Sequence, residues 1–333
     1  MKSPSELRYI TIAQIIGCSL VILGHSIPFV TTYPYCIVRC INFLYTFHMP
    51  LFVWCSGFLF CYTKQSDRKT FSQYFRQRSV KLLVPYFAIS MIGLIPKILT
   101  PQLLNDTLNW DWMSIIRAFI VPREGIWGHF WFLPMIYLIG LLGFFIDTRT
   151  YKNAAWLFSI LVGFICTFLT FPELNWFAIN DIMHFFVYYA LGVVFCKYNV
   201  LEHLSYNLIV WGILISVIAF CFVGGSQWLI TFRNFFIAVM MIISIVLLCK
   251  KYEDSISIDR KSLIAQTYQI FILSWPCQLV AGIIVERILH LSWTVFIPVV
   301  FIIGVAAPLF LLKFIDWFEA KTQTRVISFV LGR

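Results

Sequence analysis

Long apolar runs alternate along the chain with short polar segments that carry most of its charge. A run of about 20 apolar residues is the length that crosses the hydrocarbon core of a bilayer as a helix. The pattern therefore predicts an all-α, polytopic integral membrane protein with a single membrane-embedded domain over residues 1–333. About ten transmembrane helices are expected, near residues 9–30, 41–62, 82–99, 128–146, 153–170, 182–197, 207–224, 228–249, 263–285 and 292–313.

The polar segments give these runs an orientation. If the N-terminus is cytoplasmic, roughly three quarters of the 25 lysine and arginine side chains fall on the cytoplasmic side, as the positive-inside rule requires. Both termini are then expected in the cytoplasm. The apolar segment 113–121 is too short to cross a bilayer, so we expect it at the membrane interface.

Composition supports the same class of protein. The chain is 60% hydrophobic and only 12% charged, whereas soluble domains carry about 25% charged residues. The net charge of +10 could indicate a nucleic-acid partner, but its distribution follows membrane topology, so we expect membrane lipid and no nucleic acid around the protein. The ten cysteines show no zinc-like spacing, and no metal site is predicted.

Histidines concentrate near the predicted outer ends of the helices. His25 closes the first helix, and His48 begins the next one just before Pro50. An imidazole can take a proton from a hydroxyl near neutral pH, and an ionisable group inside a membrane usually has a functional reason. The alternative interpretation of His25 is an interhelical hydrogen bond. That of His48 is an interfacial histidine beside a proline kink.

Basic residues concentrate at the opposite, cytoplasmic end. Arg76, Arg78 and Lys81 precede the third apolar run, and a pair such as Arg78 and Lys81 could bind phosphate. Taken alone, the positive-inside rule and anionic lipid explain them equally well. Gln14 lies on the same face of the first helix as His25, so the two could line a channel or belong to a packing face.

Aromatic and charged residues alternate on the predicted outer surface. Such a surface suits the binding of a sugar, although Trp and Tyr are also enriched at membrane interfaces where no sugar binds. The candidate substrate-binding residues here are Arg123, Glu124, His129, Trp131, Asp181 and His184.

Four blocks in this order and spacing resemble the acyltransferase-3 family of membrane-bound acyltransferases, which includes O-acetyltransferases of surface polysaccharides. The resemblance runs from end to end of the chain. The blocks are Gly24–Ser26, Phe47–Gly57, Arg78–Tyr86 and His129–Pro134.

The resemblance implies roles for these blocks. His25 would be the catalytic base, and His48 is taken as a second catalytic residue. Arg78 and Lys81 of the basic block would bind the donor, acetyl-CoA or another acyl-CoA, and Arg76 and Gln14 are further candidates for the same donor site. Tyr268 and Ser274, from a further block in the ninth run, would bind substrate.

The chain departs from the family pattern at three places. Thr11 and Gln14 stand where family members usually have a charge pair, and Lys81 replaces an arginine. Ser274 replaces a histidine. Lys81 keeps the positive charge but loses the bidentate geometry of an arginine.

The function expected from these observations is that of an acetyl-CoA-dependent O-acetyltransferase in a bacterial inner membrane. Its acceptor would be a sugar hydroxyl of a surface glycan, such as O-antigen or capsule, or of a lipid-linked oligosaccharide precursor. The alternative is a transporter or flippase of a glycan intermediate, although the sequence shows no repeated halves of the kind many transporters have. A purely structural membrane subunit leaves the ordered blocks unexplained.

Overall fold

The computed structural model describes residues 7–27, 32–99, 112–171, 175–256 and 262–333, with side chains described outside 95–99. These residues form helices and connecting turns, with no strand among them, as the apolar pattern predicts. The helices are α1 Arg8–Gly24, α2 Tyr35–Tyr62, α3 Gln65–Arg68, α4 Phe71–Arg78, α5 Val84–Leu99, α6 Trp112–Ile120, α7 Phe132–Asp147, α8 Lys152–Cys166, α9 Ile179–Lys197, α10 Val200–His203, α11 Asn207–Phe222, α12 Gln227–Lys251, α13 Thr267–Gly282, α14 Trp293–Thr322 and α15 Val326–Val330.

Each of the ten predicted apolar runs coincides with a helix or a large part of one. Within the described residues, six helical segments are long and apolar enough to cross a membrane, and three shorter apolar ones are α1, α8 and α11. The number of crossings and the cytoplasmic placement of the termini stay predictions. The main difference from expectation is α2, which begins at Tyr35, several residues before the predicted start.

Helices α2 and α9 cross closely in the interior. A Cβ atom at Gly57 would collide with the carbonyl oxygen of Tyr189, and one at Gly192 with the carbonyl oxygen of Trp54. Small residues at such a crossing let two backbones approach closely, which is how helices commonly associate in lipid.

Helix α1 lies against α2, α12, α13 and α14 and so runs through the interior of the bundle. Residues near its start, Thr11 and Gln14, lie at one level of the bundle, and His25 lies at the other. Eleven residues of helix place Gln14 and His25 about 16 Å apart along the axis. These two levels contain the two parts of the candidate site.

Between α4 and α5 the backbone passes through a π-helical stretch, Ser79–Leu83, which contains Lys81. A π-helical turn places one more residue in the turn than an α-helix does, and such turns are common at functional sites. A second π-helical stretch, Ile283–Ile288, follows α13.

Candidate active site

Three ring side chains from three separate segments meet at the end of α1. His25 follows the last residue of α1, His129 lies in the 3₁₀ turn Gly128–Trp131, and Trp275 is on α13. The ring centroids are 5.7 Å apart for His25 and His129, 5.0 Å for His25 and Trp275, and 4.9 Å for His129 and Trp275. We call these three residues the histidine cluster.

The end of α1 is fixed by side chains from other helices. The Nε2 of the buried Gln278 donates to the carbonyl oxygen of Ile22 at 2.8 Å and to Oγ of Ser26 at 2.9 Å. From α2, the Tyr45 hydroxyl donates to the carbonyl oxygen of Gly24 at 2.7 Å. His25 therefore sits between two residues, Gly24 and Ser26, that are each tied to a different helix.

The other predicted catalytic residue, His48, is buried on α2. Its Nδ1 lies 2.8 Å from the carbonyl oxygen of Leu44. A carbonyl can only accept, so this bond assigns the ring proton to Nδ1 and leaves Nε2 as the lone-pair nitrogen of the neutral ring. The His48 ring packs on Tyr45, with centroids 5.2 Å apart, so Tyr45 connects His48 to the end of α1.

A cavity of about 560 Å³ opens at the opposite level of the bundle, and we call it the donor cavity. Its lining contains three cations, five glutamine amides and several hydroxyls, and no carboxylate among the described residues that line it. The polar lining residues include Thr11, Gln14, Ser56, Gln65, Lys69, Gln77, Arg78, Lys81, Gln266, Thr267, Tyr268 and Gln269.

A narrower cavity of about 160 Å³ shares Gln14, Arg78 and Tyr268 with the donor cavity and extends it toward apolar residues. Phe132 and Phe271 are among those apolar residues, and their ring centroids are 5.8 Å apart. The Phe271 centroid is also 6.2 Å from that of His129. A single layer of aromatic rings thus separates the inner cavity from the histidine cluster.

Arg78 lines both cavities, and the surrounding helices determine where its guanidinium lies. Its Nη2 donates to the carbonyl oxygen of Ile136 at 2.5 Å, and its Cζ lies 5.5 Å from the ring centroid of Tyr74. The guanidinium lies against Gly140 of α7, where a Cβ atom would collide with it. Within the described part of the chain no carboxylate pairs with Arg78.

The other two cations of the donor cavity stand close to Arg78. Desolvation and then the charges of Arg78 and Lys69 lower the pKa of Lys81, which lies outside the helices that are long and apolar enough to cross a membrane. Partial burial also lowers the pKa of Lys69, whose Nζ donates to Oε1 of Gln65 at 2.7 Å. Like charges held together in this way favour an anionic ligand, which would relieve their repulsion.

The candidate sugar-binding residues of the aromatic segment form a separate group. Arg123 makes a bidentate ion pair with the buried Asp181, and its Cζ lies 4.2 Å from a ring centroid of Trp131. Glu124 pairs instead with Arg117 at 2.8 Å on the surface.

His184 also lies outside the histidine cluster, since its Nδ1 is 3.0 Å from the carbonyl oxygen of Thr167. His129, predicted with these residues, is the one that the structure places beside His25 instead.

The structure separates the two residues predicted on α13. Tyr268 lines both cavities, and its hydroxyl is buried with no hydrogen-bond partner among the described residues. Ser274 is buried and donates within its own helix to the carbonyl oxygen of Phe271 at 2.9 Å. Arg76, predicted with Arg78, does not line the donor cavity but a neighbouring one.

The sequence did not predict Trp275 or Gln278 as site residues. Trp275 packs on His25, and Gln278 donates a hydrogen bond to Ser26 at the end of α1. The signal for Trp275 was its position directly after Ser274, which replaces the histidine of the family pattern. Among the described residues no group of three potential metal ligands comes together.

A family model described as an acyltransferase domain, that of the acyltransferase-3 family, matches residues 7–313. The match covers nearly the whole chain and confirms the resemblance drawn from the four blocks. It includes the histidine cluster, the donor cavity and every predicted site residue. No curated protein and no solved structure matches the chain.

Proposed function

This chain belongs to the acyltransferase-3 family, and we propose that, as a membrane acyltransferase, it moves an acyl group from acyl-CoA to a sugar hydroxyl. The expected acyl group is acetyl. The acceptor is a surface glycan, such as O-antigen or capsule, or its lipid-linked precursor. One observation carries the proposal: the donor cavity, lined by cations and by no described carboxylate, continues into an inner cavity that ends one aromatic layer away from paired histidines.

The donor cavity suits the polyanionic end of acyl-CoA. Charge-assisted hydrogen bonds from arginine or lysine to phosphate are among the strongest in proteins. Arg78, Lys69 and Lys81 would bind the pyrophosphate, and the glutamine amides and the free hydroxyl of Tyr268 would bind the amides of the pantetheine arm. The narrower inner cavity would take the end of that arm, with the thioester against Phe132 and Phe271.

The histidine cluster suits proton transfer. Neutral His25 would take the proton of the acceptor hydroxyl as its oxygen attacks the thioester carbonyl. The new ester C–O bond forms as the C–S bond breaks, and the departing CoA thiolate recovers the proton from the imidazolium. His129 and Trp275, packed on His25, would hold its ring in place. The Phe271 side chain must rotate for the thioester to reach His25.

The distribution of cations supports a cytoplasmic donor cavity and an acceptor on the other side of a bacterial inner membrane. Reporter fusions test this placement: one after Arg333 should report the cytoplasm, and one inserted at Gly224, in the turn between α11 and α12, the opposite side. Two reporters on the same side would contradict the orientation and with it the cytoplasmic donor.

Mass analysis of surface glycan, from cells with and without this gene, tests the reaction. Loss of one acetyl mass per modified sugar upon deletion, with the glycan otherwise intact, is the expected result. Loss of the whole glycan would instead support a transporter or flippase. Incorporation of label from radioactive acetyl-CoA into glycan, by membranes containing the protein, identifies the donor directly.

A further inference from the structure

The segment after α14, residues 324–333, folds back against the bundle beside the donor cavity. It contains α15 and lies beyond the residues that the family model matches. We call it the C-terminal hook. Its position is set by specific contacts, so it is an integral part of the fold.

The C-terminal hook is held at its middle and at its end. Glu319 of α14 accepts from the backbone nitrogen of Ser328 at 2.7 Å and from its hydroxyl at 2.5 Å. Arg333 pairs with Asp316 of α14, with 2.7 Å from Nη1 to Oδ1 and 3.2 Å from Nη2 to Oδ2. These bonds anchor the C-terminal hook on α14.

The same segment also contacts the two walls of the donor cavity. Gly332 has a φ of +70°, and a Cβ atom there would collide with the carbonyl oxygen of Lys81. On the other wall, Gln269 donates from Nε2 to the carbonyl oxygen of Leu331 at 3.4 Å. The left-handed backbone and the close approach explain why a glycine precedes Arg333.

The C-terminal hook thereby completes an open cavity of about 760 Å³, which we call the hook cavity. It shares Gln77, Lys81, Gln266 and Gln269 with the donor cavity, so the two are adjacent. The remaining residues of its lining are Gln73, Arg76, Val80, Gly332 and Arg333.

The charged side chains that line the hook cavity have one sign. Arg76, Lys81 and Arg333 line it, and none of its described lining side chains is a carboxylate. Asp316 neutralises part of the charge of Arg333, but Arg76 and Lys81 have no ion-pair partner within the described residues. The side chain of Arg333 is only 17% exposed, so its guanidinium is positioned before any ligand arrives. Gln266 adds a buried Oε1 that has no partner in the described part of the chain.

We propose that the hook cavity is a second anion-binding subsite, which takes the 3′-phosphorylated nucleotide end of the acyl donor, and that Arg333 is a ligand of its 3′-phosphate. Arg76 and Lys81 complete the positive wall, and Gln266 offers an acceptor to the amino group of the adenine. This inference rests on the proposed function, because it assumes that acyl-CoA is the donor. A phosphate of similar charge could also come from the headgroup of an anionic lipid, and the test separates the two sources.

The test compares the affinity of purified protein in nanodiscs for CoA and for 3′-dephospho-CoA, by calorimetry. Wild-type protein should prefer CoA by about 10- to 100-fold, the range expected when a hydrogen bond to a charged group is gained. R333Q should lose most of this preference, because it binds CoA less well and dephospho-CoA unchanged. R325Q is the matched control: it removes the same charge from the C-terminal hook, but outside the hook cavity, and should keep the preference.

Stability must be separated from recognition, because R333Q also breaks the ion pair with Asp316. R333K keeps the positive charge at this position. R76Q removes a cation that has no ion-pair partner within the described residues, so it should reduce the preference for CoA over dephospho-CoA without changing the melting temperature. A wild-type preference in both R333Q and R76Q would overturn the inference. The inference would also be overturned if R333Q kept the preference for CoA but retained less phosphatidylglycerol than wild-type protein. That result would show that the hook cavity binds a lipid headgroup. If wild-type protein did not bind CoA at all, the proposed function would be wrong, because acyl-CoA would not be the donor.

Discussion

The donor cavity and the histidine cluster lie in the same bundle but are built on opposite principles. The donor cavity is wide and lined by long polar side chains, with three cations that no described carboxylate neutralises. The histidine cluster is made of rings in contact, in which the Nε2 of His129 is buried and has no hydrogen-bond partner among the described residues. One region has charge without a partner, and the other has a proton acceptor shielded by aromatic faces.

Under the proposed function, this difference divides binding from chemistry. Cations in a wide polar cavity attract a charged ligand before it reaches the reacting atoms. A neutral imidazole keeps a nitrogen lone pair that can accept the proton of a hydroxyl. If the two regions are separate in this way, substitutions in one should alter binding and substitutions in the other should alter the rate of the chemical step.

The largest effect is expected at His25. H25Q should lower the turnover number by about 10²- to 10⁴-fold, because glutamine can fill the space and hydrogen-bond but cannot accept a proton. The affinity for acetyl-CoA should remain at the wild-type value. Acetylated product formed per minute in membranes with equal protein content gives the rate, and calorimetry gives the affinity.

H48Q is the control for this experiment, since His48 is buried and bonded to Leu44 but lies outside the histidine cluster. We expect it to leave residual activity. Near-normal acetylation by H25Q would show that the base is elsewhere, and the mechanism proposed above would then be wrong.

A smaller effect, on binding, is expected at Arg78. R78A should raise the KM for acetyl-CoA by about 10- to 100-fold, since it removes a charge-assisted bond to phosphate. K81A should raise it less, because lysine lacks the bidentate geometry of arginine. The KM for the acceptor should not change in either variant.

R68A serves as the matched control. Arg68 is an exposed arginine of the same basic segment, residues 64–81 between α2 and α5, and lines none of the cavities described above. An unchanged KM for acetyl-CoA in R78A would show that the basic segment determines membrane topology and does not bind the donor. An equal rise in R68A would show that the charge acts through the membrane surface and not through the donor cavity.

The smallest of these effects is expected at Gln278, which supports the end of α1 beside the histidine cluster. Q278L removes two hydrogen bonds to the end of α1, which should lower the free energy of unfolding by about 1–3 kcal/mol. The melting temperature in detergent should fall, and the turnover number should fall far less than in H25Q.

Q227L, at an exposed position at the start of α12, should change neither quantity. A rise in the KM for acetyl-CoA in Q278L, with no change in turnover, would mean that the two regions are coupled and that the comparison drawn above fails.

The sequence predicted the helices and several of these placements because their signals are local. Apolar runs of sufficient length predicted the ten longer apolar helices, but not the short helices α3, α4, α10 and α15. The spacing of Arg78 and Lys81 suggested a pair, and both cations line one cavity. Gln14 lies on that cavity as well, eleven residues from His25 along the face of α1. Helical periodicity alone is enough to group such residues.

Other features depend on contacts between distant parts of the chain and leave no local pattern. Gln278 binds Ser26 across 252 residues, so no spacing rule connects them. Similarly, Arg333 meets the basic segment only because α14 and α15 return the chain to it. Ser274 was predicted from the family pattern, yet the neighbouring Trp275 is the residue that reaches His25.

Gly140 has a consequence for genetics. It lies in α7, carries no functional group, and owes its importance to the Arg78 guanidinium that occupies the space of its missing side chain. In a random mutagenesis screen, replacement of Gly140 by alanine should therefore behave as a partial loss-of-function allele with the phenotype of R78A. Because the guanidinium is the group displaced, a second-site change to the slimmer side chain, R78K, should suppress that allele, and no suppressor is expected at Arg68.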